Sequence, residues 1–233
     1  MSFPTEIKVM ATAAFKEAYL ELAPQFERAS GHKVVTTWTN TLDIVNRVKA
    51  GEATDLAVMS GNAIDELIAA GKFAKGSRID IATSWVAMAV RKGAPQPDIS
   101  SGDAFKRAML AAKSIAYSTG PSGVYLIGLF QRMGIAGQLA SKVKQIKGEP
   151  VGAVVARGKA EIGFQQMSEL LPVPGIDIVG GLSKDIEEIT FFATGRHANT
   201  KVADAANALT NFFKAPAAHT IIRGKGMGPV TAR

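Results

Sequence analysis

Cysteine is absent from this 233-residue chain and histidine is scarce, and both facts restrict its chemistry. A chain without cysteine has no disulfide, no thiolate metal ligand and no cysteine nucleophile. The three histidines are widely spaced in the sequence and form no metal-ligand pattern. We therefore expect neither a metal site nor a cofactor.

Long apolar runs and basic clusters are missing as well. No apolar run reaches the roughly 18 residues that span a bilayer, so we expect no membrane insertion. The net charge is +7, but the basic residues are scattered and no aromatic residue lies among them. We therefore expect no nucleic-acid partner. We also expect a monomer.

Met1–Thr5 lacks the basic segment and the apolar stretch that open a signal peptide. We expect a periplasmic protein if a signal peptide has been removed, and a cytoplasmic protein otherwise.

The pattern that is present is an alternation of strands and helices. In the first unit, Ile7 and Val9 alternate with charged residues, and an amphipathic helix follows, with Thr12 as its predicted N-cap. Two more strand–helix units follow before residue 71. This alternation predicts an α/β fold with a parallel sheet and helices on both of its faces.

Small or hydroxyl-bearing residues follow each of the first three predicted strands. In parallel sheets, ligands bind beyond the carboxyl ends of the strands. A helix that begins there presents free N–H groups and a partial positive charge, which favour an anion. The sequence therefore predicts an anion site at this edge of the sheet.

Two extended stretches, near residues 82–91 and 187–195, flank a second α/β unit. We expect residues 1–84 plus 192–233 to form one lobe and residues 85–191 to form the other. Two crossing hinge strands would join the lobes, with a cleft between them.

Six segments in order carry a resemblance that spans nearly the whole chain. The chain resembles the molybdate-binding-protein-like family of type 2 periplasmic solute-binding proteins, including its aconitate-isomerase-like branch. The segments are Val9–Ala14, Phe26–Val34, Ala50–Asp55, Ser122–Tyr125, Ala160–Gly163 and Gly224–Met227. The resemblance implies a two-lobe fold that closes on a small anion, either an oxyanion such as molybdate or a small carboxylate. It also implies a membrane component of an ABC transporter as a partner.

In such a family the oxyanion is held only by neutral groups. The positions carried over by the resemblance are Ala14, Asn40, Ser122, Val151 and Gln166. Two of them depart from the molybdate pattern, since a serine is replaced by Ala14 and a tyrosine by Gln166. The loss of a hydroxyl that donates to a charged oxygen costs about 1.5–3 kcal/mol. Small carboxylates therefore become stronger candidates.

Two alternatives to a transport receptor remain. One is an isomerase of a small polycarboxylate, which needs a base with a pKa near neutrality; His197 is the weak candidate. The other is a cytoplasmic ligand-sensing module. The predicted ligand-binding residues are Thr12, Ala13, Ala14, Thr39, Asn40, Ser60, Ser122, Val151, Gln165 and Gln166.

Overall fold

Residues 4–230, the part of the chain that the computed structural model describes, form ten strands and ten α-helices. The strands are β1 Glu6–Ala11, β2 Lys33–Trp38, β3 Leu56–Ser60, β4 Ile79–Arg91, β5 Ile115–Tyr117, β6 Val143–Gln145, β7 Ile162–Gln166, β8 Ile176–Gly181, β9 Ile189–Arg196 and β10 Gly228–Pro229. The helices are α1 Lys16–Ser30, α2 Thr41–Lys49, α3 Gly61–Ala69, α4 Gly102–Ala111, α5 Pro121–Arg132, α6 Ala136–Leu139, α7 Val151–Ala156, α8 Met167–Leu170, α9 Ala203–Lys214 and α10 His219–Gly224.

The chain divides into two units. Unit 1 contains the chain up to Ser84 and from Phe191 onward, and unit 2 contains Trp85–Thr190. Residues 1–3 and 231–233 are outside the described range, so the signal-peptide expectation for Met1–Thr5 and the outer ends of the expected first lobe fall partly outside it. Over residues 4–230, no helix has both the length and the hydropathy of a membrane span.

Unit 1 contains a sheet in the order β2-β1-β3-β9. The β1 strand pairs in parallel with β2 and β3, whereas β9 is antiparallel to β3. Alternation along β1 places Ile7 and Val9 against α1 and α9, and Met10 against α2 and α3. Relative to leaving it exposed, full burial of a side chain of this size contributes about 1.5–3 kcal/mol to the stability of the fold. The predicted parallel pairing of the first three strands, with helices on both faces, is therefore confirmed, and the antiparallel β9 makes the sheet of this unit mixed.

Unit 2 contains the part of β4 from Trp85 onward and the strands β7, β5 and β6, in that order, and β8 also pairs with β4. The β5 strand is parallel to β6 and β7, and β4 is antiparallel to β7. One core of this unit contains Phe105, Phe130 and Phe164, all fully buried. On the other face α7 packs closely over β7, since a Cβ on Gly163 would lie only 2.8 Å from Val151. This packing places the start of α7 beside the end of β7.

Candidate functional site

The carboxyl ends of β1, β2 and β3 lie side by side in unit 1. Ala11, at the end of β1, is level with Trp38 of β2 and Val58 of β3. The amide of Thr12 donates to the Val58 carbonyl (3.0 Å), and the amide of Thr39 donates to the Ala11 carbonyl (3.1 Å). Six predicted site residues lie at or just after these strand ends, and we call them the unit 1 edge: Thr12, Ala13, Ala14, Thr39, Asn40 and Ser60.

Asn40 and Thr39 at this edge are held by the first turn of α2. The side chain of Asn40 caps the helix, because its Oδ1 accepts from the Asp43 amide at 2.9 Å. The hydroxyl of Thr39 donates to Asp43 Oδ2 at 2.7 Å. That bond uses the only proton of the hydroxyl. Thr39 Oγ1 can therefore act toward a ligand only as a hydrogen-bond acceptor.

Thr12 does not make the N-cap bond that the sequence predicts. Its hydroxyl lies 3.5 Å from the Val58 carbonyl, at the limit of a hydrogen bond, and it accepts nothing from the following 3₁₀ turn, Ala13–Phe15. The cap bond is missing because the chain enters a 3₁₀ turn before α1 begins. Ala14 is 6% exposed and Ala13 is exposed, so two small side chains open this turn, and the third residue, Phe15, is buried in the core.

In unit 2, a second group of polar residues lies where β5 and β7 end. Tyr117, the last residue of β5, is level with Phe164 of β7. Ser118 follows Tyr117, and Gln165 and Gln166 follow Phe164. We call this group the unit 2 edge: Ser118, Ser122, Val151, Gln165 and Gln166.

The loop between β5 and α5 brings two hydroxyls together. Ser118 Oγ and Ser122 Oγ are 2.9 Å apart, and Ser118 Oγ also accepts from the Gly120 amide at 3.3 Å. A Cβ on Gly123 would lie 1.8 Å from the Ser118 carbonyl oxygen. Only glycine therefore allows the loop to fold so closely over the start of α5.

Gln165 forms the centre of a short hydrogen-bonded chain. Its Oε1 accepts from the Val151 amide at 2.9 Å, and its Nε2 donates to Glu169 Oε1 at 2.9 Å. The resemblance implied that the Val151 amide would bind the ligand. In this structure that amide is already bonded to Gln165, so it is not a free donor.

Gln166 is fully buried and presents an acceptor. Its Nε2 donates to Thr190 Oγ1 at 3.0 Å. Its Oε1 has no hydrogen-bond partner within residues 4–230. A buried acceptor of this kind is costly unless a ligand or a water molecule donates to it.

One carboxylate lies against each edge, and their environments move the two pKa values apart. The pKa of Asp43 is lowered, first by the hydrogen bond from Thr39 and then by Arg47, whose Nη1 is 3.4 Å from Asp43 Oδ2. Burial raises the pKa of Glu169 from 4.5 to about 7, against a smaller opposite effect of the hydrogen bonds from Gln165 and the Gln166 backbone.

His197 lies at the other end of the unit 1 sheet from the residues above. Its backbone amide donates to the Asp55 carbonyl at 3.0 Å, just before β3 begins, whereas Ser60 ends that strand. Five residues of strand correspond to about 16 Å. Its ring packs on Phe73, and burial lowers its pKa. The structure does not bring His197 to the unit 1 edge.

Sequence reasoning missed Glu169 and Ser118. A signal for Glu169 was present, since it stands three residues after Gln166, the N-cap of α8, which is the spacing at which a glutamate reaches back to the N-cap amide. For Ser118, the signal was its position directly after β5. In the described part of the chain, no group of three or more His, Cys, Asp or Glu side chains could hold a metal ion.

Two sheets with polar groups gathered at their strand ends are typical of an α/β protein that binds a small solute. The chain belongs to the family described as bacterial extracellular solute-binding protein, whose profile matches residues 7–228.

Two curated relatives span nearly the whole chain. An aconitate isomerase of Pseudomonas sp is 41% identical over 235 residues, covering 98% of this chain and 90% of that protein. The molybdate-binding protein ModA of Azotobacter vinelandii is 26% identical over 234 residues, covering 96% of this chain and 90% of that protein. The predicted family resemblance is confirmed.

The fold is similar to that of a solved structure of a molybdate-binding protein. The periplasmic molybdate-binding protein of Azotobacter vinelandii superposes with a TM-score of 0.79 at 19% identity, covering 97% of this chain and all of that chain. The prediction of a type 2 periplasmic binding protein fold is therefore confirmed.

Proposed function

We propose that this chain is an isomerase of aconitate, a small tricarboxylate. The observation that carries the proposal is the 41% identity to an aconitate isomerase across 98% of the chain. Identity at this level over nearly the full length favours a shared ligand class more strongly than the 26% identity to the molybdate-binding protein does.

The contacts at the two edges argue against a tetrahedral oxyanion as the preferred ligand. Of the positions carried over by the resemblance, Ala14 has no hydroxyl and the Val151 amide is bonded to Gln165. The side-chain Nε2 of Gln166 donates to Thr190 Oγ1. Each missing donor to a charged oxygen costs about 1.5–3 kcal/mol.

The chemistry of aconitate needs one proton acceptor and no redox group. The molecule is a propene that carries three carboxylates, and it exists as cis and trans isomers. Removal of a proton from its CH₂ group gives an allylic carbanion, and return of the proton to the other end of the allyl system moves the double bond. A positioned base with a pKa near neutrality accelerates such a transfer by about 10²–10⁴.

A second candidate function is binding without catalysis. The family is one of extracellular solute-binding proteins, and the solved structures with a similar fold include a molybdate-binding protein. In this case the chain would bind a small oxyanion or carboxylate outside the cytoplasm and deliver it to an ABC transporter. Within unit 2, the Ser118–Ser122 hydroxyl pair and the first turn of α5 would supply donors.

The experiment combines a turnover assay with thermal unfolding. Purified chain is incubated with cis-aconitate and, separately, with trans-aconitate, and the two isomers are separated by chromatography. Thermal unfolding is followed with both isomers, citrate, sulfate, molybdate and tungstate. A ligand at about 100 times its dissociation constant adds about 2.7 kcal/mol to stability, or about 5–10 °C at this size.

The isomerase proposal predicts conversion in both directions and a thermal shift with aconitate. A shift with molybdate and tungstate but not with aconitate, together with no conversion, would refute it and favour an oxyanion receptor.

A further inference from the structure

We propose that Glu169, beside the unit 2 edge, is the general base that takes the allylic proton of aconitate and, after exchange with solvent, delivers a proton to the other end of the allyl system. The inference rests on the isomerase function proposed above, and it assigns that function a residue.

The position of Glu169 is set by the turn that follows β7. It is the third residue of α8, which begins directly after Gln166. Its Oε1 accepts from Gln165 Nε2 at 2.9 Å, and Gln165 Oε1 in turn accepts from the Val151 amide. These bonds place the carboxylate within the group of residues that ends β7 and begins α7.

The contacts of Glu169 leave it able to accept a proton. A carboxylate has about four acceptor positions, and the contacts of Glu169 come from two neutral donors, the Gln165 side chain and the Gln166 backbone. Over residues 4–230, no Lys, Arg or His forms an ion pair with it. As a whole residue, Glu169 is half-buried.

Asp43, the carboxylate beside the unit 1 edge, is paired with a cation and is therefore a weaker base than Glu169. Asp43 is paired with Arg47 and accepts from Thr39, which holds it ionised and lowers its basicity. Burial without a cation has the opposite effect on Glu169 and raises its pKa to about 7. The serine and glutamine side chains of the unit 2 edge do not ionise in this range, so Glu169 is the carboxyl group with the basicity that the reaction needs.

The proposed step conserves atoms and electrons. The carboxylate of Glu169 forms an O–H bond as a C–H bond of the CH₂ group breaks. The electron pair delocalises over the allyl system into the adjoining carboxylates. The carboxyl group exchanges its proton with solvent, its O–H bond then breaks as the proton adds to the far carbon, and the double bond moves to the other side. The conformation about the C–C bond that was single in the substrate, and that becomes double, decides which isomer forms, and Glu169 is again ionised.

The alternative role for Glu169 is structural, as an N-terminal cap of α8. The experiment must separate this role from that of a catalytic base. Glu169→Gln removes the base but keeps an oxygen that can accept from the Gln166 amide, since glutamine serves at this position of a capping box. Glu161→Gln is the matched control. Glu161 precedes the opposite end of β7, and its Oε2 accepts from the Lys113 amide at 2.6 Å.

Turnover is measured by proton NMR in D₂O, and aconitate affinity by titration calorimetry. We expect Glu169→Gln to lower kcat by about 10²–10⁴, to stop deuterium incorporation at the CH₂ group, and to change the affinity by less than about threefold, or about 0.6 kcal/mol. We expect Glu161→Gln to keep the kcat of the unaltered chain.

Glu169→Asp guards against a folding defect in the first variant. It keeps an ionised cap but withdraws the carboxylate by one methylene, and we expect it to fold, to bind aconitate and to lose at least about tenfold in kcat, since small displacements of a catalytic group are costly. An undiminished kcat in either Glu169 variant would overturn the inference while leaving the isomerase function intact. Loss of aconitate binding together with turnover would assign Glu169 a structural role and would also overturn it. No conversion by the unaltered chain would overturn the proposed function and this inference together.

Discussion

Replacement of Glu169 by glutamine should change how the stability of the protein depends on pH. The pKa of this carboxyl group is raised from 4.5 to about 7 in the folded chain. Below pH 4.5 both the folded and the unfolded state carry the proton. Between pH 4.5 and 7 the unfolded state ionises while the folded state keeps its proton, so a rise in pH favours unfolding.

The size of the effect follows from the pKa change. At about 1.4 kcal/mol per pK unit, the rise from 4.5 to about 7 corresponds to about 3 kcal/mol of unfolding free energy. Of this, about 2.5 kcal/mol is lost between pH 5 and pH 8. Glutamine does not titrate, so the stability of Glu169→Gln relative to the unaltered chain should rise by about 2.5 kcal/mol over that interval.

Urea unfolding at pH 5 and pH 8 measures this quantity. The difference between variant and unaltered chain is taken at each pH, so that all other titrating groups cancel. Glu161→Gln, with an exposed carboxylate in the same unit, controls for the exchange of glutamate for glutamine and should show no comparable rise. The usual error of additivity is about 0.5 kcal/mol. If the relative stability of Glu169→Gln rises by less than this between pH 5 and pH 8, the assignment of a buried carboxyl without a cationic partner is refuted.

Three further predictions concern the positions of the candidate site residues. Gly123→Ala should destabilise the chain by about 1–3 kcal/mol or more, since its Cβ would lie 1.8 Å from the Ser118 carbonyl oxygen; Gly137→Ala, with no atom within 4 Å, is the control in the same urea assay, and equal effects would contradict the reasoning. Asn40→Ala should cost about 0.5–2 kcal/mol because it removes the cap of α2, and a stability unchanged in thermal unfolding would contradict the cap. His197→Ala should leave aconitate turnover within about twofold, because this histidine lies beside the start of β3, about 16 Å of strand from the unit 1 edge; a large loss of kcat would restore it as a candidate.

The elements of the unit 1 edge could be predicted because the sequence signals are local. Alternation in β1 and the polar residue before α2 depend only on neighbouring positions, and Asn40 caps α2 in the structure. The parallel order of the first three strands follows from their alternation with helices. The polar ends of these strands were therefore predicted to meet, and they do.

The contacts of unit 2 depend on tertiary packing, so their partners could not be predicted. The bond from the Val151 amide to Gln165 requires α7 to lie against β7, which happens because Gly163 has no side chain. The raised pKa of Glu169 likewise results from burial, which no local pattern reveals.

The distance of His197 from the other candidates has a similar explanation. It is set by the antiparallel register of β9 against β3, in which Arg196 is level with Leu56. The sequence shows that β9 is a strand but not which neighbour it pairs with or in which register.

The central claim is that the chain catalyses proton transfer on aconitate, and proton NMR of cis-aconitate in D₂O with the purified chain tests it most directly. The account predicts the appearance of trans-aconitate together with deuterium at the CH₂ position, at a rate proportional to protein concentration. Unchanged cis-aconitate without deuterium, in the presence of folded protein, would contradict the claim and leave a solute-binding protein without this activity.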